Sequence, residues 1–344
     1  MNDFIKINLQ DRKPYFEIAA TNSGLPVNII EKDFWVCWIL ERLFSLPNIG
    51  SNMIFKGGTT LSKVYSVIER FSEDVDLSID KEKLGFIGEK DPEQAINSKK
   101  QKQLIEDLAA SCKIFIKNEL HIILYDVIVG LLGKDNNWEL VIDQHESDGQ
   151  TILFHYPTIN NLYSGYINPS VKIELGARSD NWPTQQHLLT PYLHQYLPIN
   201  AVKKYNVNVR VLDVARTFWE KATILHMYAN WPEQKIINQR QSRHYYDFFK
   251  LLKSTYLSDA LSKINLLTRV AMHKQIYFRC AWAKYEQAKI GTLRLTPPLY
   301  VQSSMRKDYL AMREMFFNTP PGWDEVITAI TQFEVEFNSA MSLA

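Results

Sequence analysis

One stretch of this chain has few ways to fold: Met53-Ile54-Phe55, then Gly57-Gly58, then a helical spacing, then Asp74-Val75-Asp76-Leu77-Ser78-Ile79. The short apolar run reads as a strand that the paired glycines stop. Beyond them Leu61, Val64, Tyr65 and Ile68 recur at helical intervals, which predicts a helix reaching Ile68. Residues 74–79 then alternate strictly, with Val75, Leu77 and Ile79 on one face and Asp74, Asp76 and Ser78 on the other, so a second strand is expected. A strand, glycine turn, helix and strand in this order carry the two aspartates back beside the turn.

That arrangement has a chemical reading. Glycines let backbone N–H groups approach a triphosphate unobstructed, and a helix N-terminus adds partial positive charge. Thr59 and Thr60 offer hydroxyl donors, and Lys56 and Lys63 flank the turn, so Lys56, Gly57, Gly58, Thr59, Thr60 and Lys63 are the nucleotide-binding candidates here. Asp74 and Asp76, two apart on a strand, point the same way and can share hard divalent cations. Such ions activate an attacking hydroxyl and neutralise a leaving pyrophosphate. A Gly-Gly pair alone is commonly just a turn, and Asp-x-Asp alone is more often a solvated face. Their combination in this order is what points to a site. A third acid is expected from Val171-Lys172-Ile173-Glu174-Leu175, where Glu174 and Lys172 share the polar face. Taken alone this is a plain exposed strand; beside the first motif a site role for Glu174 is preferred.

At 344 residues the chain exceeds the length at which single cores usually split, so two lobes are expected, 1–212 and 213–344. The first reads as mixed α/β, with a helix over 26–46, a polar loop over 81–103, a helix near 102–118 and strands at 121–129, 138–143, 151–156 and 170–176. From Val214 onward helical patterns dominate, at 218–228, 244–252, 261–279 and 323–337, broken at Thr296-Pro297-Pro298 and Thr319-Pro320-Pro321-Gly322. The class is therefore α+β: a mixed-sheet core with a mainly helical C-terminal lobe.

Composition narrows the function by exclusion. The net charge of +1 gives no global signal for a polyanion or a membrane. Cys37, Cys112 and Cys280 are odd in number and widely spaced, which suits reduced thiols in the cytoplasm. No secretory start and no run of about 18 apolar residues is present, so neither export nor membrane insertion is indicated. None of the eight histidines pairs at i, i+4, which argues against zinc. Lys99, Lys100 and Lys102, with Lys113 and Lys117, could form a basic edge for RNA, although a solvated helix face explains them more simply.

Several blocks together resemble the AbiEii/AbiGii toxin family, a type IV toxin–antitoxin and abortive-infection branch of the polymerase-β-like nucleotidyltransferases. They are Ile30-Glu31-Lys32-Asp33-Phe34-Trp35-Val36, Phe55 to Lys63, Ile68-Glu69-Arg70-Phe71-Ser72-Glu73-Asp74-Val75-Asp76-Leu77, Arg216-Thr217-Phe218-Trp219-Glu220-Lys221-Ala222-Thr223-Ile224-Leu225-His226 and Ser242-Arg243-His244-Tyr245-Tyr246-Asp247. They extend from about residue 30 to 250, and the last hundred residues carry no matching motif. The resemblance implies a polymerase-β-type core in which Gly58 and Thr59 contact phosphates and Asp74, Asp76 and Glu174 hold magnesium or manganese. Lys221 and Asp247 would match family residues needed for activity. Some relatives show Arg-Asp where this chain has Arg243-His244, so the match at Asp247 is looser. Physically, Lys221 offers a point charge for a phosphate and Arg243 a bidentate grip. Arg243 and Asp247 could equally form an i, i+4 salt bridge. The implied activity moves a nucleoside monophosphate from an NTP to a hydroxyl, with the tRNA 3′ end the preferred acceptor and a DNA-binding antitoxin as cognate partner. Modification of a protein or small molecule is the alternative within enzymes. A nucleotide-binding module without chemistry is the alternative outside them.

Overall fold

The computed structural model describes residues 1–72, 74–134, 137–146, 148–159, 168–197 and 205–339. They fall into two compact units, Met1–Val64 with Ser72–Val211, and Tyr65–Phe71 with Leu212–Ala344.

The first unit begins with helices α1 (Asn2–Ile5), α2 (Leu9–Ser23) and α3 (Val27–Phe44). Strand β1 (Met53–Lys56) runs through the Gly57 turn into α4 (Gly58–Lys63), and β2 covers Asp74–Ile79. Helix α5 (Ser98–Phe115) passes through a π-helical turn into α6 (His121–Leu132). The remaining elements are β3 (Glu139–Ile142), β4 (Thr151–His155), β5 (Ser170–Gly176), β6 (Thr184–Leu189), α7 (Tyr192–Tyr196) and β7 (Val207–Leu212). One seven-stranded mixed sheet has the order β3-β4-β5-β2-β1-β7-β6. β2 pairs antiparallel with β1 and parallel with β5, which puts the aspartate strand at the centre.

Three expectations need correcting. Residues 121–129 are helical, not a strand. Their β-branched composition favours a strand, but Leu120, Leu124 and Ile128, all fully buried, recur every four residues, and that period decides the element. The helix after the glycine turn stops at Lys63 rather than Ile68, and Ser66 takes a left-handed φ of 51° that no helix continues through. Strands β6 and β7 have no counterpart in the expected set.

Helix α3 carries much of this unit's core. Fourteen of its eighteen residues are buried, and Trp35 and Trp38 pack against Phe154 and Tyr156 of the β4 segment. Burial all round explains why its charged residues are also inside.

The second unit is helical: α8 (Val214–Ala229), α9 (Arg243–Leu252), α10 (Leu257–Ser262), α11 (Asn265–Tyr277), α12 (Leu299–Ala311) and α13 (Trp323–Ser339). Phe218 of α8, Phe248 of α9 and Phe333 of α13 meet ring to ring, so the C-terminal helix closes this core. Residues 65–71 join the same unit, with Phe71 N–H donating to Met315 O and Tyr65 Oη to Leu212 O.

Candidate active site

In the first unit the sheet register builds a polar row. Lys56 of β1 lies opposite Asp76 of β2, which lies opposite Glu174 of β5. Asp74 lies opposite Lys172 in the same way. Alternation along each strand sends all five side chains to one face, with neighbours about 5 Å apart across strands. All five are half-buried, while Val75, Leu77, Ile173 and Leu175 fill the other face.

The glycine turn meets this row. Gly57 has φ 84°, a left-handed conformation, and a Cβ placed on it would lie 1.9 Å from Asp76 Oδ2. Only glycine admits both the turn and the carboxylate beside it. The threonines that follow are buried and turn inward. Thr59 Oγ1 donates to Asp74 O at 2.6 Å, and Thr60 Oγ1 donates to Gly57 O at 2.8 Å. The Thr59 hydroxyl proton thus holds the turn to β2, and that of Thr60 braces the turn itself. With only six residues in α4, helix polarity contributes less here than a long helix would.

Lys63 takes a structural place. Its ammonium is buried 2.6 Å from Asp33 Oδ1 and 3.5 Å from the Tyr192 ring centre. Burial disfavours the charge, but Asp33 more than restores it and holds Lys63 above the ordinary lysine value. Asp33 also accepts from Tyr192 N–H at 2.6 Å. Its neighbours behave alike: Glu31 accepts from Thr158 Oγ1 and Ile159 N–H, and Lys32 donates to Asn168 O. The Glu31-Lys32-Asp33 block therefore ties α3 to residues 158–159, to Asn168, to α4 through Lys63 and to α7 through Tyr192.

Glu174 is engaged rather than waiting. Lys172 Nζ lies 2.7 Å from Glu174 Oε1 and 2.8 Å from Glu146 Oε1. Partial burial works against this ammonium, yet the two carboxylates and the charge of Asp74 hold it above its ordinary value. Among the described residues no group of three or more His, Cys, Asp or Glu closes up to hold an ion. The donor set still fits magnesium, which commonly takes one or two carboxylates plus substrate phosphates. Asp74 and Asp76 supply such a pair, and Glu174 stands one strand away, paired with the Lys172 ammonium.

The second unit holds the other candidates in one buried charge cluster. Asp247 of α9, fully buried, accepts from Arg70 Nε at 2.7 Å, from Arg70 Nη2 at 2.9 Å and from Lys221 Nζ at 2.7 Å. Lys221 also lies 3.1 Å from His244 Nδ1. Burial opposes the Asp247 charge, but the two cations outweigh it and keep the carboxyl ionised well below the usual range. For Lys221 burial lowers the pKa, Asp247 opposes, and the charges of Arg70 and Arg243 tip the balance below the ordinary value. His244 is held neutral by burial and the surrounding cations, so its ring nitrogen can accept from Lys221. The partner of Asp247 is Arg70, not Arg243 four residues earlier. Arg70 belongs to the Ile68–Leu77 segment, and nothing in its local sequence pattern signals its full burial. Arg243 is half-buried on the first turn of α9.

Fold and site together place the molecule among the α+β nucleotidyltransferases: a mixed sheet whose central strand presents Asp-x-Asp against a glycine turn. The family model described as "Nucleotidyl transferase AbiEii toxin, Type IV TA system" matches residues 38–329, and the chain belongs to that family. The match reaches well past the last recognisable block near residue 250, so it takes in most of the helical unit. The protein is a nucleotidyltransferase, and membership of this family implies a nucleotide substrate and an antitoxin partner. No curated protein matches the chain. No described helix is long and apolar enough to cross a membrane.

Proposed function

We propose that the protein is a toxin that transfers a nucleoside monophosphate from an NTP to an acceptor hydroxyl, with the tRNA 3′ end as acceptor. The observation that carries the reading is the Asp76 carboxylate seated against Gly57, an acid suited to a metal ion beside a glycine turn suited to phosphates. In the reaction the acceptor oxygen bonds to the α-phosphorus, the bond from that phosphorus to the bridging oxygen breaks, pyrophosphate leaves and the hydroxyl proton is released. Asp74 and Asp76 would hold magnesium, or manganese in its place, and the ion would supply charge neutralisation on the phosphates. The remaining work falls to the chain. Gly57 and Gly58 would admit the triphosphate, Lys56 adds positive charge opposite Asp76, and Glu174, paired with Lys172, would be the third carboxylate able to hold the ion. Thr59 and Thr60 position the turn.

Lys221, Arg243 and Asp247 belong to the proposal as residues on which activity depends. Asp247 acts from inside the fold, by holding the Lys221 ammonium and Arg70. The three unpaired cysteines support a cytoplasmic setting. The tRNA acceptor rests on the family resemblance, since the net charge of +1 offers no polyanion signal. Incubation with magnesium and each α-phosphate-labelled NTP, offering intact tRNA, periodate-oxidised tRNA and cell protein, tests it. Label on intact tRNA alone is expected and names the nucleotide. Label on protein would move the acceptor to the alternative reading.

A further inference from the structure

Arg12 has a setting that the nucleotidyl transfer site does not explain. It lies in the second turn of α2 and is only 5% exposed, yet its guanidinium makes no hydrogen bond or ion pair among the described residues, and Nε is wholly enclosed. The guanidinium carbon lies 5.9 Å from the centre of the Trp35 ring. Glu31 is near enough for its charge to be felt, but its carboxylate is taken by Thr158 and Ile159. A guanidinium carries five donors, and a buried one left without acceptors is costly enough to call for an explanation.

The explanation lies in what the side chain faces. Arg12 lines a cleft of about 410 Å³ whose other walls include Lys6, Asn8, Asn137, Ile7 and Leu132. That volume is in the range that takes small ligands. Asn8 is the N-cap of α2, a fifteen-residue helix, so the positive end of the helix opens on the same cleft. Asp11 lies three residues on from Asn8, which donates from Nδ2 to its carboxylate and accepts from its backbone N–H. Cations and N–H donors thus converge with apolar walls in a space where, among the described residues, no protein acceptor is bonded to Arg12. None of these residues is shared with the Asp74–Asp76 row.

We propose that this cleft is an oxyanion site, in which Arg12 binds the phosphate or carboxylate group of a small molecule whose apolar part rests on Ile7 and Leu132. The oxyanion supplies the acceptors that Arg12 lacks, and the guanidinium offers it a bidentate pair.

The test is thermal melting of the full chain in chloride buffer of constant ionic strength, with inorganic phosphate or acetate replacing chloride. A ligand that binds only the folded state raises the melting temperature in proportion to its occupancy. Wild type should gain a saturable rise from at least one anion. A larger rise with phosphate marks a phosphate-bearing ligand, and a larger rise with acetate a carboxylate-bearing one. Lys56→Met, which removes a cation of the nucleotidyl transfer site, should respond like wild type. Arg12→Met should lose the response and, without added anion, melt no lower than wild type, because it removes a buried guanidinium that has no hydrogen-bond acceptor among the described residues. Ile7→Trp, which fills the cleft and keeps Arg12, should also lose the response. No rise in wild type with either anion, a response that survives in Arg12→Met, or one that Lys56→Met abolishes would overturn the proposal.

Discussion

At Gly57 the whole site depends on the absence of one carbon atom. A methyl group there would fall 1.9 Å from Asp76 Oδ2 on a backbone at φ 84°, so either the turn or the carboxylate must move. Gly57→Ala should therefore cost about 1–2 kcal/mol in urea unfolding, from the strained backbone, and remove at least about 100-fold of transfer, since small misplacements at a reacting centre have effects of that size. Unchanged turnover would show that Asp76 does not need its seat. His194 makes a different kind of prediction. Both its ring nitrogens are buried without partners among the described residues, and burial, helped by the N-terminal ammonium, pushes its pKa down to about 4. The folded state holds the neutral ring, so the stability this confers is complete above the unfolded value near 6.5 and drains away as pH falls toward 4. His194→Phe should flatten that part of the stability profile by up to about 3 kcal/mol, measured by urea unfolding at successive pH values. A profile that keeps its slope would assign it to other groups. At this scale the sequence was most legible where one residue type has one use. The glycine turn and the Asp-x-Asp pair are such cases. The partners of Thr59, Thr60 and Lys63 within the fold were not legible, because a hydroxyl or an ammonium serves a ligand and a fold equally well.

Among the elements, the strand–turn–helix–strand unit could be read because each of its parts announces its own period. Helix α6 could not, since His121-Ile122-Ile123-Leu124-Tyr125 carries strand-like composition over a helical burial pattern. The register that places Glu174 beside Asp76, and Lys172 upon Glu174, depends on pairing between strands almost a hundred residues apart, which no local pattern encodes. The same holds for the contact of Arg70 with Asp247, 177 residues along the chain. That contact joins the segment 65–71 to α9, and Lys221 joins α8 to the same carboxylate. Asp247→Asn leaves two buried cations sharing one neutral amide and should cost about 3–5 kcal/mol, read from the urea midpoint. A loss within about 0.5 kcal/mol, the usual bound for surface changes, would show the cluster to be solvated. The ionised carboxyl also gives a pH signature of known sign. Its folded pKa lies below the unfolded one, so its contribution is present at neutral pH and is lost as pH falls below the usual carboxylate range.

For the molecule as a whole, composition excluded classes without choosing among the rest. A net charge of +1 hides a sheet face where Lys56, Asp74, Asp76, Lys172 and Glu174 stand together, because the fold separates what composition averages. The family match to residue 329 extends through helices whose sequences carry no motif, as expected of elements kept for packing, such as the Phe218–Phe248–Phe333 contact. The central claim is that the Asp74–Asp76 pair on β2 performs metal-assisted nucleotidyl transfer. Its most direct test is transfer of label from α-phosphate-labelled NTPs to total RNA and protein by wild type, Asp76→Asn and Lys172→Met, each shown by circular dichroism to be folded. The account predicts labelled product from wild type that requires a divalent ion, at least about a 1,000-fold loss in Asp76→Asn, and persistence of the reaction in Lys172→Met. Transfer that continues undiminished in folded Asp76→Asn would contradict it.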